Sequence, residues 1–255
     1  MEKPKKYIAS CSFGKDSIAT ILLALEHNEP LDAVVFAEVM FDHERDISGE
    51  IPEHIDWIYS TAIPKLESMC VKVDVVRAKK DYCSLCCQVL KSGKNEGKCY
   101  GIQNSKPCYA NSDLKIAPIR QYLRKIGKEF DIVQYVGIAV DEPIRLERLR
   151  GTNKVSLLEK YGYTEHDAMN KCQEYNLISP LYLMGHRGGC WFCFNANVKR
   201  YIHIRKEHPD YWQRFKELYY KTKSATFRYG KTLQEVEKQM DRVEWVEDRQ
   251  MKFEF

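Results

Sequence analysis

A nearly continuous apolar run, Ala33–Val39 (AVVFAEV), constrains this chain more than any other feature. A strand with water on one face alternates apolar and polar residues. An almost unbroken Val-rich run instead marks a strand covered on both faces, as in a parallel sheet with helices above and below. The neighbouring segments fit that architecture. Tyr7–Ser10 reads as a short strand and Ser17–Glu26 (SIATILLALE) as a helix apolar on most faces, ended by Asn28-Glu29-Pro30. Ile51–Met69 is predicted helical with Pro64 as a kink or break, Val71–Arg77 a strand, Ile116–Lys125 an amphipathic helix and Ile132–Ala139 a further strand. This alternation predicts an α/β protein with a doubly wound, mostly parallel sheet, and ligands at the carboxyl ends of its strands.

From about Gly151 the pattern turns mostly helical: Thr164–Tyr175, Asn197–Glu207, Pro209–Lys223 and Thr232–Met240. The expected organisation is a nucleotide-binding α/β domain over residues 1–150 and a cysteine-bearing, helical C-terminal appendage over 151–255. Within the first domain, residues 79–113 read as an irregular lid loop, since structureless stretches of that length in compact domains are usually functional. With 44% hydrophobic and 30% charged residues, the composition excludes collagen-like and broadly disordered chains. Apolar runs are short, as in Ile21–Leu25, so no membrane span is expected. The N-terminus lacks the apolar stretch of a secretory signal, and the expected compartment is the cytosol.

Ser12-Phe13-Gly14-Lys15-Asp16-Ser17 stands between the first strand and the first helix. Backbone N–H groups and the helix dipole make such a helix start an anion site. Gly14 is expected to let the chain turn tightly and a phosphate approach, Ser12 and Ser17 to offer hydroxyls, and Lys15 to add positive charge. Asp16 cannot favour phosphate directly and is expected to hold the loop or a Mg²⁺. The Walker pattern G-x-x-x-x-G-K-[ST] is absent. Asp141, Glu142 and Arg145 follow a strand and so project from its carboxyl end, where Arg145 suits a bidentate phosphate or sulfate clamp and Lys115 is a weaker candidate for the same anion.

In that strand–loop–helix setting, S-F-G-K-D-S resembles the loop of the phosphoadenosine phosphosulfate (PAPS) reductase family, within the ATP-pyrophosphatase superfamily. Ser48-Gly49-Glu50-Ile51-Pro52-Glu53 is similar to the family's T-G-x-x-x-P-E element, with Ser for Thr and one residue fewer before the Pro. Cys108 followed by Leu114-Lys115-Ile116-Ala117-Pro118-Ile119 resembles its Cys…L-K-x-x-P-[IL] element, and Gly137–Arg145 its G-[IR]-x-x-[DE]-[ES]-x-x-R signature. Arg187-Gly188-Gly189-Cys190-Trp191-Phe192-Cys193 looks like a cysteine pair found in many members. The resemblance covers roughly residues 6–195, with the motifs in the family's order. It implies a Rossmann-like sheet that binds ATP or PAPS with Mg²⁺. The chain departs from the family at its end: no cysteine follows Cys193, so the E-C-G-x-H thiol that attacks sulfonyl sulfur in the reductases is missing.

Ten cysteines in a reducing compartment point to ligands or redox groups rather than bridges. Cys190-x-x-Cys193, with Cys172 upstream and Cys108 beside the Lys115 element, supplies four thiolates, enough for a [4Fe–4S] cluster or, as the alternative, a tetrahedral zinc. By analogy with adenosine phosphosulfate reductases the set would be Cys86, Cys87, Cys190 and Cys193; alignment with the Lys115/Pro118 element favours Cys108. Cys83, Cys86, Cys87 and Cys99 lie among lysines that would lower a thiol pKa, so one is a candidate nucleophile. Residues 197–231 hold ten Lys/Arg against three Asp/Glu with eight aromatics interleaved, a possible nucleic-acid surface, although the helical spacing of the rings also suits a core. The functional expectation is ATP α–β cleavage and adenylation coupled to sulfur transfer, with the reductase and a non-catalytic binding protein as alternatives.

Overall fold

The computed structural model describes residues 3–253. In chain order β1 (Lys5–Cys11) leads into α1 (Lys15–Glu26), β2 (Ala33–Glu38), the short strands β3 (Met40–Asp42) and β4 (Ile47–Ser48), and α2 (Pro52–Trp57). A π-helical turn at Ile58–Ala62 joins α2 to α3 (Ile63–Ser68), followed by β5 (Val73–Arg77) and α4 (Tyr82–Cys87). A second π-helical turn, Asn111–Ile116, precedes α5 (Ala117–Ile126), β6 (Asp131–Val136), α6 (Pro143–Glu147) and β7 (Lys154–Val155). The remaining elements are helical: α7 (Leu157–Lys160), α8 (Glu165–Glu174), α9 (Pro180–Leu183), α10 (Val198–Glu207), α11 (Pro209–Lys221) and α12 (Leu233–Phe253).

Two compact units emerge, and they interleave in sequence rather than dividing at residue 150. The first comprises the chain up to Glu38, Ile51–Ala78 and Lys115–Gly188; the second comprises Val39–Glu50, Lys79–Leu114 and the chain from Gly189 on. The first unit is the expected Rossmann-like α/β fold. Its sheet runs β5-β2-β1-β6-β7 with every pairing parallel. The order reverses between β1 and β6, which places the crevice for ligands outside their carboxyl ends.

Residues 151–188 join this unit because of α1. Every residue from Ser17 to Ala24 is buried, so the helix needs cover on the side away from the sheet. Leu157, Leu158, Ala168 and Cys172 of α7 and α8 share one core with Ile18, Ile21 and Leu22 of α1. On the other face α5 lays Ile119, Leu123 and Ile126 against Ile8, Ala33 and Val35. Pro64 lies within the helical run that continues from α2 into α3, immediately after the π-helical turn Ile58–Ala62 that accommodates its missing N–H.

The second unit has an aromatic core. Phe41, Tyr82, Trp191 and Phe192 pack in tilted and stacked pairs, and Trp191 continues into Phe215 and Phe227. The segment expected as an irregular lid contributes to this core. Asp81 and Ser84 form a capping box that starts α4, and Tyr82, Leu85 and Cys86 make its buried stripe. The rings of residues 197–231 are mostly core as well: Tyr201, Trp212, Phe215, Tyr219 and Phe227 are buried, while Tyr220 and Tyr229 are exposed.

Candidate active site

The loop after β1 is held by contacts within itself. Ser17 Oγ accepts from the Ser12 N–H (3.3 Å) and donates to the Gly14 carbonyl (2.8 Å), so this hydroxyl fixes the loop's shape. The left-handed residue is Phe13 (φ 56°), not Gly14, whose φ of −77° suits any residue. A non-glycine residue rarely adopts such a φ unless packing secures it. Phe13 is fully buried, edge-on to Phe36 at 5.1 Å between ring centres, so its side chain anchors the loop and is withheld from any ligand. Gly14 takes the N-cap position of α1 and has no side chain of its own to cap the first turn, so of the first N–H groups only that of Lys15 meets a side chain, the Tyr182 hydroxyl. A helix start whose cap residue leaves its donors unfilled is one an anion can approach.

Around the loop stand residues that the sequence did not single out. Tyr182 on α9 accepts a hydrogen bond from the Lys15 N–H (3.0 Å). His54 on α2 is buried, with Nδ1 2.9 Å from Ser179 Oγ and Nε2 3.4 Å from the Ser12 carbonyl. A carbonyl only accepts, which assigns the proton to Nε2 and makes Ser179 the donor to Nδ1. Ser179 also caps α9. The loop is thus braced at Ser12 through His54 and at Lys15 through Tyr182. Gly137, at the end of β6, closes the other side: a Cβ there would lie 2.6 Å from the Asp16 carbonyl carbon and 2.7 Å from Ser17 N. Only glycine lets the two switch-point connections approach that closely.

Lys15 Nζ pairs with Asp16 (2.6 Å) and with Glu165 at the start of α8 (3.0 Å). Burial works to lower the Lys15 pKa, but the two carboxylates outweigh it and hold the ammonium above its usual value. Asp16 is pushed up by burial and by the nearby Glu165 and Glu142 carboxylates, against the opposing pull of Lys15. The site therefore concentrates negative charge on Asp16, Glu142 and Glu165. Asp141 accepts from the Glu165 N–H at the start of α8 (3.2 Å) and so ties the β6 loop to that helix. Glu142 accepts from the Ala139 N–H and pairs with Arg145, which is half exposed. Lys115 lies close enough to Cys11 to oppose the burial that pushes this thiol up to about 11.

The four cysteines expected as ligands divide between the units. Cys172 lies in the core of the first unit, where its thiol donates to the Lys15 carbonyl (3.1 Å) and burial pushes it up to about 12. Its observed contact is thus support beneath the loop. Cys108, Cys190 and Cys193 belong to the second unit. The Cys193 N–H donates to the Cys190 carbonyl (3.1 Å), closing a tight C-x-x-C turn. Cys190 bridges the Glu50 backbone, and Cys108 and Cys193 feel each other electrostatically. Buried Arg200 is lowered by desolvation, opposed by Cys193, Tyr201, Cys190 and Glu50 around it. Among the described residues, the sulfurs of Cys108, Cys190 and Cys193 are not all within 4.8 Å of one another.

The lysines expected to activate the other thiols do not prevail. Burial pushes Cys83 up to about 12, helped by Asp42 and Asp81, and pushes Cys86 higher still. Cys87 is also raised by burial, with only Lys221 opposing.

Fold and loop together define a Rossmann-like α/β protein with a helix start at the switch point of its sheet. No family model matches the chain, and no curated protein does. Among solved structures, the U34-tRNA thiolase NcsA from Methanococcus maripaludis, with its [4Fe–4S] cluster, is similar over 94% of this chain and 73% of that one, at 14% identity and a TM-score of 0.42. At that distance the likeness does not bear on what this chain does.

Proposed function

We propose that this protein is an adenine-nucleotide-dependent enzyme that cleaves the α–β bond of ATP to adenylate an acceptor and then transfers sulfur to it. One observation carries the nucleotide reading: Lys15, the glycine-capped start of α1 and the Gly137 approach converge at the switch point of a parallel sheet. Phosphate oxygens entering there would take over Lys15 from Glu165. The raised Asp16 carboxyl, with Glu142 and Glu165 near it, suits a Mg²⁺ that relieves their mutual repulsion. An acceptor oxygen attacks the α-phosphorus, the α–β bridging bond breaks and pyrophosphate leaves. A sulfur nucleophile then displaces AMP from the activated acceptor. Lys15 and the helix start act by electrostatic stabilisation of the charge that develops on the phosphates.

For the metal centre, Cys108, Cys190 and Cys193 form the donor set the second unit provides, with the Arg200 guanidinium as a neighbouring cation. Ligands of one tetrahedral zinc would stand about 4 Å apart, given a Zn–S bond of about 2.3 Å. A [4Fe–4S] cluster held there would supply iron able to hold sulfur for transfer, with zinc as the alternative. The reductase alternative needs a reactive thiolate elsewhere, and half-buried Cys83 and buried Cys86 both have raised pKa values.

The test is a side-by-side titration of anaerobically purified protein with Mg-ATP and PAPS, followed by pyrophosphate release from ATP. Preference for ATP with release abolished in Asp16→Ala is the expected result. Preference for PAPS, or undiminished release in that variant, would overturn the assignment.

A further inference from the structure

The first unit carries a one-signed groove well away in sequence from the loop. A cavity of about 580 Å³ between α5 and the edge strand β5 is lined by Val76, Arg77, Pro118, Gln121, Tyr122, Arg124, Lys125 and Lys128. Four of these side chains are cations and none is a carboxylate. Arg77 is committed to Glu38 (2.8 Å). No carboxylate pairs with Arg124, Lys125 or Lys128 among the described residues, and all three are exposed. The helix that presents Arg124 and Lys125, with Lys128 in the turn after it, is strongly amphipathic, so its apolar side is spent on the sheet and its outer side is basic.

A second cavity next to it provides a contrast. It shares Tyr122 and Lys125, but there Lys6 and Lys72 are matched by Asp32, Asp74 and Glu129, and Lys72 is bonded to Asp74 at 2.8 Å. Positive potential is therefore concentrated along the α5–β5 groove.

We infer that this groove docks the phosphodiester backbone of a nucleic acid. A protein partner needs buried aromatic or aliphatic anchors at the centre of its interface. This groove offers Val76 and Pro118 at most, and the Tyr122 hydroxyl is taken by Asp74 (2.6 Å). A backbone contact needs only cations and polar donors, which arginines satisfy bidentately and lysines as point charges. The open groove suits an extended backbone rather than an enclosed small anion. Residues 197–231, the basic stretch of the second unit, keep most of their rings in the core and expose Tyr220 and Tyr229. This inference supplies an acceptor class for the proposed reaction but does not depend on the nucleotide assignment.

The experiment measures binding of a fluorescent 20-base-pair mixed-sequence duplex and of its single strand by anisotropy, from about 50 to 200 mM salt, the range over which backbone contacts weaken steeply. In the full chain, Arg124→Gln, Lys125→Gln and Lys128→Gln together should weaken binding at least tenfold. They should also flatten the log–log salt slope by about 0.7 to 0.9 per cation removed. The charge-matched control Lys5→Gln, Lys6→Gln and Lys72→Gln should leave both quantities near wild type. Equal losses in the two triples would reduce the effect to net charge and overturn the inference. So would wild-type protein that binds neither probe at the lowest salt. Equal capture of a polyglutamate peptide, lost in the same groove variant, would replace the nucleic acid with an acidic protein. Mg-ATP titration of the groove variant should match wild type, and Asp16→Ala should still bind the duplex, so failure of one assignment is separable from failure of the other.

Discussion

At Gly137 the chain has room for a hydrogen and nothing larger, because the nearest atoms are backbone of Asp16 and Ser17 and cannot rotate away. Gly137→Ala is expected to push β6 and α1 apart, at a cost of about 1–3 kcal/mol typical of overpacking. It should also lose ATP affinity more than tenfold, since the loop moves with the helix. Urea denaturation and an ATP titration check both, and unchanged stability would show that the approach is not tight. Tyr182→Phe removes one acceptor from a partly buried N–H and should cost about 0.5–1.5 kcal/mol in the same urea assay, with Ile8 and the sheet core untouched. These two residues mark the limits of sequence reading. Lys15, Asp16 and Ser17 were legible because their meaning is local: strand, turn, helix start. Tyr182 and His54 act on a loop far away in sequence, and no periodicity or spacing announces that. Phe13 was legible as part of the loop, but that it, rather than Gly14, takes the left-handed turn depends on its packing against Phe36.

Among the elements, α4 shows how a short helix hides in a polar stretch. Its signals were present: Asp81 three residues before Ser84, and Tyr82, Leu85 and Cys86 on one face. Gly, Lys and Asn from residue 91 to 98 masked them, so the whole segment read as loop. The same balance made α1 legible as a helix while leaving its cover unassigned, although eight consecutive buried residues require helices on the side away from the sheet. Asp81 gives α4 a pH signature. Its carboxylate accepts from the His43 N–H (2.8 Å) and the Ser84 N–H (2.7 Å), and although burial works to raise it, those bonds hold its pKa below the usual value. A lowered carboxylate stabilises the fold above its unfolded pKa of about 4, and that contribution fades as pH falls through the folded value. Asp81→Ala should therefore cost about 0.5–2 kcal/mol at pH 7, as loss of a helix cap does. The gap from wild type should narrow steadily below pH ~4. A gap that stayed constant down to pH ~2 would mean the carboxylate's charge contributes nothing.

At the scale of the whole molecule, two chemistries are distributed over two units that share one chain by repeated crossing. The loop proposed to bind nucleotide, its braces and Cys172 belong to the sheet unit, while Cys108, Cys190, Cys193 and Arg200 belong to the aromatic unit. Cysteine spacing alone could not make that division, because a thiol that supports a loop and a thiol proposed as a metal ligand are the same letter. The division predicts a crossed outcome. Replacing Cys108, Cys190 or Cys193 by Ser, one at a time, should abolish the visible absorbance and the bound iron and sulfide of anaerobically purified protein, with Mg-ATP affinity within about twofold of wild type, or less than about 0.5 kcal/mol. Cys172→Ala should do the reverse. It removes a buried sulfur and its bond to the Lys15 carbonyl, so ATP affinity and thermal stability should fall while iron content stays full. Loss of iron in Cys172→Ala, with nucleotide binding intact, would return that cysteine to the ligand set and overturn the partition argued here.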